Sequence, residues 1–318
     1  STPGTFTITG GGPYCAGSSG VLVGLNGSAS SVNYSLYNGA SLVSTVAGTG
    51  ASISFGLQTA SGTYTVTASN GSCSASMLGS TTISVNPLPT QFAVTGGGPY
   101  CLGGSGATVG LASSTIGVNY QLYVDGTPVG SPHVGTSSAI SFGLQTTTGT
   151  YTIVATNAST LCTIGMSGSV AVSTYPLPDQ YSVTGSGGFC LGGTGLPIGL
   201  TGSTTGTNYQ LKLGGVSQGS PLAGTGSALN FGNMTTPGTY TVVATIPSTT
   251  CFATMSGTAS VTVNPLPTAF TVTVTSTGTN PAGAYCFGGS GQTVGLNGSQ
   301  TGANYQLIGI TCLWMAVK

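Results

Sequence analysis

Apolar and polar residues alternate with a period of two along most of this chain. Val23 and Leu25 fall on one side of such a segment, as do Tyr34 with Leu36, Ile53 with Phe55, Tyr64 with Val66 and Ala68, and Ile83 with Val85. This alternation marks β-strands with one buried face. The segments are rich in β-branched and aromatic residues, which suit a pleated, half-buried surface. Clusters of Gly, Ser and Asn separate them about every 8–12 residues, the spacing of an all-β sandwich. No segment shows the 3.6-residue period of an amphipathic helix. No apolar run approaches the roughly 18 residues that a membrane-spanning helix needs.

The strands come in copies. Tyr14-Cys15, Tyr100-Cys101, Phe189-Cys190 and Tyr285-Cys286 each open a block. An apolar residue and Gly-Leu follow at a fixed distance, ending on Leu25, Leu111, Leu200 and Leu296, and an Asn-Tyr pair follows at Tyr34, Tyr120, Tyr209 and Tyr305. Fixed spacing implies the same backbone path each time. The first three copies also share Gly-Thr-Tyr-Thr at Tyr64, Tyr151 and Tyr240, and each ends on Pro-Leu-Pro at residues 87–89, 176–178 and 265–267 before an aromatic at Phe92, Tyr181 or Phe270. Proline holds φ and favours an extended chain, so the joints are short and stiff. The expected domains are 1–88, 89–177 and 178–266, with a partial fourth repeat and divergent tail over 267–318.

Each complete copy holds two cysteines: Cys15 with Cys73, Cys101 with Cys162, and Cys190 with Cys251. None lies in a C-x-x-C pair, which argues against zinc, and the regular spacing reads as structural disulfides formed in an oxidising compartment. Pairing within a repeat is the simpler expectation. It needs an altered local path if the two positions lie at opposite ends of a sandwich. The alternative joins successive repeats, as Cys15 to Cys162 and Cys101 to Cys251. Cys286 and Cys312 do not follow the spacing.

Charge narrows the function classes. Among 318 residues only Asp125, Asp179, Lys212 and Lys318 are charged, and His133 is the one histidine. Ordinary domains devote about a quarter of their residues to charge. Paired carboxylates, Ser/His/Asp sets, hard-cation cages and basic nucleic-acid surfaces lack their residues here. The expectation is therefore no enzyme, no catalytic residue, no metal, no cofactor, no nucleic-acid partner and no membrane insertion. Met77, Met166 and Met255, each four residues after a cysteine, read as core filler, and His133 beside Pro132 as an exposed loop residue.

Gly-Thr-Tyr-Thr-Val resembles the start of strand F in immunoglobulin-like sandwiches, where a corner tyrosine bonds back to upstream backbone. The expected fold is all-β: tandem immunoglobulin-like β-sandwich repeats with structural disulfides. Cys-x-Gly before Val-Gly-Leu, Asn-Tyr-Gln-Leu, Gly-Thr-Tyr-Thr-Val and Asn-Pro-Leu-Pro together resemble the large repeat-bearing surface proteins of Bacteroidetes, similar to gliding-motility adhesins. That resemblance implies type IX secretion and an extracellular or cell-surface location; no basic n-region or apolar h-region follows Ser1, so the expected form is mature, without signal peptide.

The leading expectation is a structural subunit or shaft of an extracellular filament, associating with itself or continuing into a longer repeat chain. Near-absence of charge fits, because close-packed chains would otherwise bury unpaired ions at high cost. In the fourth repeat Val294, Leu296, Tyr305 and Leu307 form the expected strand-donation or assembly region, since half a sandwich leaves an apolar face and a sheet edge open. The competing expectation is an adhesin binding a glycan or other surface ligand through Tyr14, Tyr100, Phe189 and Tyr285 as stacking rings.

Overall fold

Nine strands build the first sandwich in the computed structural model of this chain: β1 (Ile8–Gly10), β2 (Gly12–Cys15), β3 (Val21–Leu25), β4 (Asn33–Asn38), β5 (Ser41–Ala47), β6 (Ile53–Gln58), β7 (Gly62–Ser69), β8 (Ser74–Ser76) and β9 (Thr81–Asn86). One sheet runs β1-β3-β6. The other runs β2-β9-β7-β4-β5, with β8 on the free stretch of β7. This is an immunoglobulin-like arrangement, in which the first strand divides between the two sheets. The division occurs at Gly10 and Gly11, whose φ angles are 85° and 76°. A Cβ on Gly10 would also stand 2.0 Å from the carbonyl oxygen of Leu22, so only glycine fits the crossing.

The structure describes residues 1–275 and 292–308. The chain divides into two units, Ser1–Pro176 and Leu177–Lys318. The first unit holds a second sandwich with the same sheet orders. Val94–Gly96, Ala107–Leu111 and Ile140–Gln145 form its small sheet; Gly98–Cys101, Val170–Tyr175, Gly149–Asn157, Val118–Val124 and Thr127–Val134 form its large one. In the second unit a third sandwich repeats the plan, with the counterpart of β5 broken into Val216–Ser217 and Leu222–Ala223. Of the fourth repeat, Val272–Thr275 pairs antiparallel with Thr293–Leu296 in the register of β1 on β3. Among the described residues there is no helix.

The period-two pattern marks the buried faces. Val23, Leu25, Tyr34, Leu36, Tyr64, Val66, Ala68 and Ile83 meet in one core together with Met77, and the second and third sandwiches have matching cores that include Met166 and Met255. His133 departs from expectation. It lies on the strand Thr127–Val134, not in a loop, with its ring 4.7 Å from that of Phe142.

Two tyrosines per complete repeat hold the sandwich ends. Tyr64, Tyr151 and Tyr240 each donate their hydroxyl to a carbonyl four residues upstream, on Ala60, Thr147 and Thr236, all at 2.8 Å. This is the corner bond anticipated from Gly-Thr-Tyr-Thr. Tyr34, Tyr120 and Tyr209 instead accept from the backbone N–H of Ala29, Thr115 and Thr204 at 2.8–2.9 Å. Burial raises Tyr64, Tyr151 and Tyr240 above the usual phenol pKa. The folded form thus retains protons that the unfolded chain has lost. Their contribution is fully present below pH about 10 and lost as pH rises through the folded values.

Tyr64→Phe leaves the Ala60 carbonyl unpaired and should lower the stability of its sandwich by about 1–3 kcal/mol, with Tyr151→Phe and Tyr240→Phe acting alike. Denaturant melts between pH 7 and 11 should show stability flat to about 10 and falling above it, less steeply in the triple variant. Equal alkaline slopes would show that these phenols are not the groups responsible.

Candidate functional site

The site is a joint between consecutive sandwiches. In the first, β2 pairs parallel to β9 with Cys15 opposite Asn86, and Ala16 N–H continues the ladder to Asn86 C=O at 2.9 Å. Cys15 therefore lies where β9 leaves the domain, just before Pro87-Leu88-Pro89. The Tyr14 hydroxyl fastens the strand by donating to the Thr59 carbonyl. Ser18 N–H and Oγ both donate to Cys15 C=O, at 3.1 and 2.8 Å.

Cys162 sits at the opposite pole of the second sandwich, in the turn between Gly149–Asn157 and Thr163–Gly165. Asn157 organises that turn. Its Oδ1 accepts from the N–H of Ser159 and Thr160 at 2.9 and 3.0 Å, while its backbone N–H donates to Cys162 C=O at 2.9 Å. The incoming chain is tied to the same pole, since Ser167 N–H donates to Phe92 C=O and Val94 N–H to Ser167 C=O, both at 2.9 Å. Cys15 and Cys162 are joined by a disulfide, with Cα atoms 5.5 Å apart and a sequence separation of 147. The bond runs beside the proline linker as a second covalent connection.

The expected in-repeat pairing is thus overturned: Cys15 bonds Cys162, as in the cross-repeat alternative, so Cys162 is not paired with Cys101, and Cys190, a free thiol, is not paired with Cys251. Gly62 is level with Ile83 and Cys15 with Asn86, while Cys73 lies beyond the far end of β7. At about 3.3 Å per residue the two cysteines are roughly 30 Å apart, several times the reach of a disulfide. Cys73 and Cys190 carry free thiols, contrary to the expectation that both belong to disulfides. Cys101 and Cys251 are disulfide-bonded. Cys286 and Cys312 lie outside the described residues.

The four residues expected to form an assembly region line one open groove with Val272, Gly295 and Gln306. Their exposures are 42% for Val294, 37% for Leu296, 44% for Tyr305 and 74% for Leu307, against 0–1% for Val23, Leu25, Tyr34 and Leu36 at the same positions of the first repeat. Local packing is in place all the same. Phe270 stands edge-on to Tyr305 at 6.2 Å, as Phe6 does to Tyr34 at 6.3 Å, and Tyr305 Oη accepts from Gln300 N–H at 2.8 Å. What the described residues lack is cover on the apolar stripe. The rings of Tyr14, Tyr100 and Phe189 are half-buried and pack against their cores, and the Tyr100 hydroxyl donates to Thr146 C=O. Tyr285 lies outside the described residues.

A set that the motif reading missed is Ser28, Ser114 and Ser203. Each is buried, donates through Oγ to the carbonyl of Ala51, Ser138 or Ser227, and accepts from the N–H of Thr49, Thr136 or Thr225. Each loop is thereby closed on the sandwich by a neutral side chain. The available signal was a serine three residues after every Gly-Leu leucine, with Ser299 as the fourth instance.

No protein-family model and no curated protein matches the chain. Among solved structures it is similar to three N-terminal domains of the highly immunogenic outer capsid protein of bacteriophage RB49 (15% identity, 82% of this chain and 99% of that one, TM-score 0.30). It is also similar to a tandem from titin (14%, 83% and 96%, 0.28) and to a marsupial T cell receptor (13%, 79% and 99%, 0.36).

Alkylation of the folded chain without reductant should label Cys73 and Cys190 and leave Cys15 and Cys162 unlabelled. A non-reducing peptide digest should contain the Cys15 peptide joined to that of Cys162. A Cys15–Cys73 peptide as the main product would contradict the joint described here.

Proposed function

We propose that the chain is a tension-bearing shaft segment of an extracellular fibre, secreted and assembled from tandem sandwiches. The observation that carries this reading is the disulfide from Cys15 to Cys162, which links one sandwich to the next outside the linker. Pull entering at the N-terminal side travels through β1 and β2 to Cys15 and crosses directly to Cys162. Residues 16–161 lie inside the closed loop and are not stretched. Where force does reach the first sandwich, β2 and β9 are its entry and exit strands and run parallel. They are pulled in opposite directions along their length, so the hydrogen bonds between them are sheared together and do not open one by one.

The surface chemistry supports the same reading. Ser28, Ser114 and Ser203 close loops with neutral hydroxyls, and the chain carries no net charge, which favours association over dispersion. The stripe formed by Val294, Leu296, Tyr305 and Leu307 is the place where a further strand would seat, from a neighbouring copy or from more of the same polypeptide. Repeat motifs resembling those of Bacteroidetes surface proteins support a cell-surface fibre.

Single-molecule extension tests this, with handles at Ser1 and Ser173 of the full chain. The oxidised protein should release only the segments outside the loop. Reduction, or Cys15→Ser, should lengthen the extended contour by about 500 Å, taking roughly 3.4 Å for each of the freed residues. Equal contours before and after reduction would sink the tension-bearing reading.

A further inference from the structure

The bond between the first two repeats joins cysteines of opposite position. Cys15, a first-position cysteine at the exit pole, bonds the second-position Cys162 of the repeat that follows. Cys101, also first-position, and Cys251, also second-position, are disulfide-bonded too. The two described cysteines with free thiols are one of each kind. Cys73 is the second-position residue of the first repeat and Cys190 the first-position residue of the third.

Both sit in the setting of their bonded counterparts. The Cys73 turn is organised by Asn70, whose Oδ1 accepts from Ser72 and Cys73 N–H at 3.2 and 2.9 Å, and whose N–H donates to Cys73 C=O at 3.2 Å. Asn157 likewise accepts two backbone N–H groups and donates its own to Cys162 C=O, in a turn two residues longer where Cys162 N–H donates to Thr160 Oγ1. Cys190 ends a strand paired parallel to Ala259–Asn264, opposite Asn264, just as Cys15 stands opposite Asn86. Burial is what differs. Cys162 and Cys251 are fully buried and Cys73 is not, while Cys15 and Cys101 are half-buried and Cys190 is exposed. The equivalent residues bonded within this same chain are the independent sign that these two thiols have a partner of defined chemistry.

We propose that Cys73 and Cys190 are the two open ends of a repeat-to-repeat disulfide series. Cys73 takes the first-position cysteine of a preceding repeat of the same type, and Cys190 takes the second-position cysteine of a following one. Each bond forms from two thiols, whose two protons and two electrons pass to a disulfide oxidant. With glutathione disulfide, one molecule is consumed and two of glutathione are released. The incoming cysteine can belong to more of the same polypeptide or to a second copy, and the test separates these sources. The proposal does not depend on the tension-bearing reading, which concerns only the bond already formed.

Two arms use the full chain with Cys286→Ser and Cys312→Ser, oxidised with glutathione disulfide, the Cys15–Cys162 peptide serving as proof of folding. In the first arm, chains carrying Cys73→Ser and chains carrying Cys190→Ser are mixed. A second-copy source yields a mixed dimer, joined from Cys190 to Cys73, in excess of the self-dimer of either variant. In the second arm, residues 1–307 are followed by a duplicate of 212–266, which completes the fourth repeat and supplies a second-position cysteine. A same-chain source then appears as loss of alkylation at Cys190 and a peptide joining it to the duplicated Cys251. Either result upholds the proposal. Cys190 fully alkylated in the extended chain, together with mixed dimer no more abundant than self-dimer, overturns it.

Discussion

The parallel seating of β2 on β9 governs what the rest of this structure does. It divides the first strand between two sheets, and it carries Cys15 to the pole where the domain ends. Had that strand stayed wholly in the small sheet, Cys15 would not stand beside Asn86 at the linker. The bond to Cys162 would then have no geometry to form in. The glycines before it, and Tyr14 with its hydroxyl on Thr59, serve this one placement.

Much of the fold could be read from the residues, because a sandwich needs period-two burial and strands such as those of Tyr34 and Tyr64 supply it, although Val85, expected on the face of Ile83, is exposed. The corner role of Tyr64, Tyr151 and Tyr240 was legible from Gly-Thr-Tyr-Thr, since the glycine and the tyrosine are both required by that turn. The cysteine pairing was not. Spacing along a chain says nothing about which pole a residue occupies, and the pole of Cys15 depends on a strand of only four residues that changes sheets. Ser28, Ser114 and Ser203 escaped notice for another reason. A serine in a Ser-rich chain carries no compositional signal, and its role shows only once its Oγ is seen between a carbonyl and an amide from a distant loop. The position of His133 on a strand was hidden by the neighbouring proline, which an edge strand tolerates.

Those serines also explain how a chain this poor in charge closes its loops. A hydroxyl both donates and accepts, so a single buried Oγ can satisfy two backbone groups without bringing an ion into the interior. Even the acidic residues are used in this way. Asp125 Oδ1 accepts from Thr150 N–H at 2.9 Å and Asp179 Oδ2 from the Thr204 hydroxyl at 2.8 Å. Burial, not ion pairing, sets the energetics of these domains.

The separation of 147 residues between Cys15 and Cys162 has a bearing on biosynthesis. At about 5–20 residues per second the ribosome delivers the second cysteine roughly 7–30 s after the first. Cys73 emerges well before then and is the wrong partner within reach of an unfolded chain. Folding of the first sandwich disfavours that wrong bond, because the folded β-sheet carries Cys15 and Cys73 to opposite ends and leaves the first thiol facing the next domain. Sheet formation thus selects the covalent pattern, because it is the folded sandwich that sets Cys73 at the far end from Cys15.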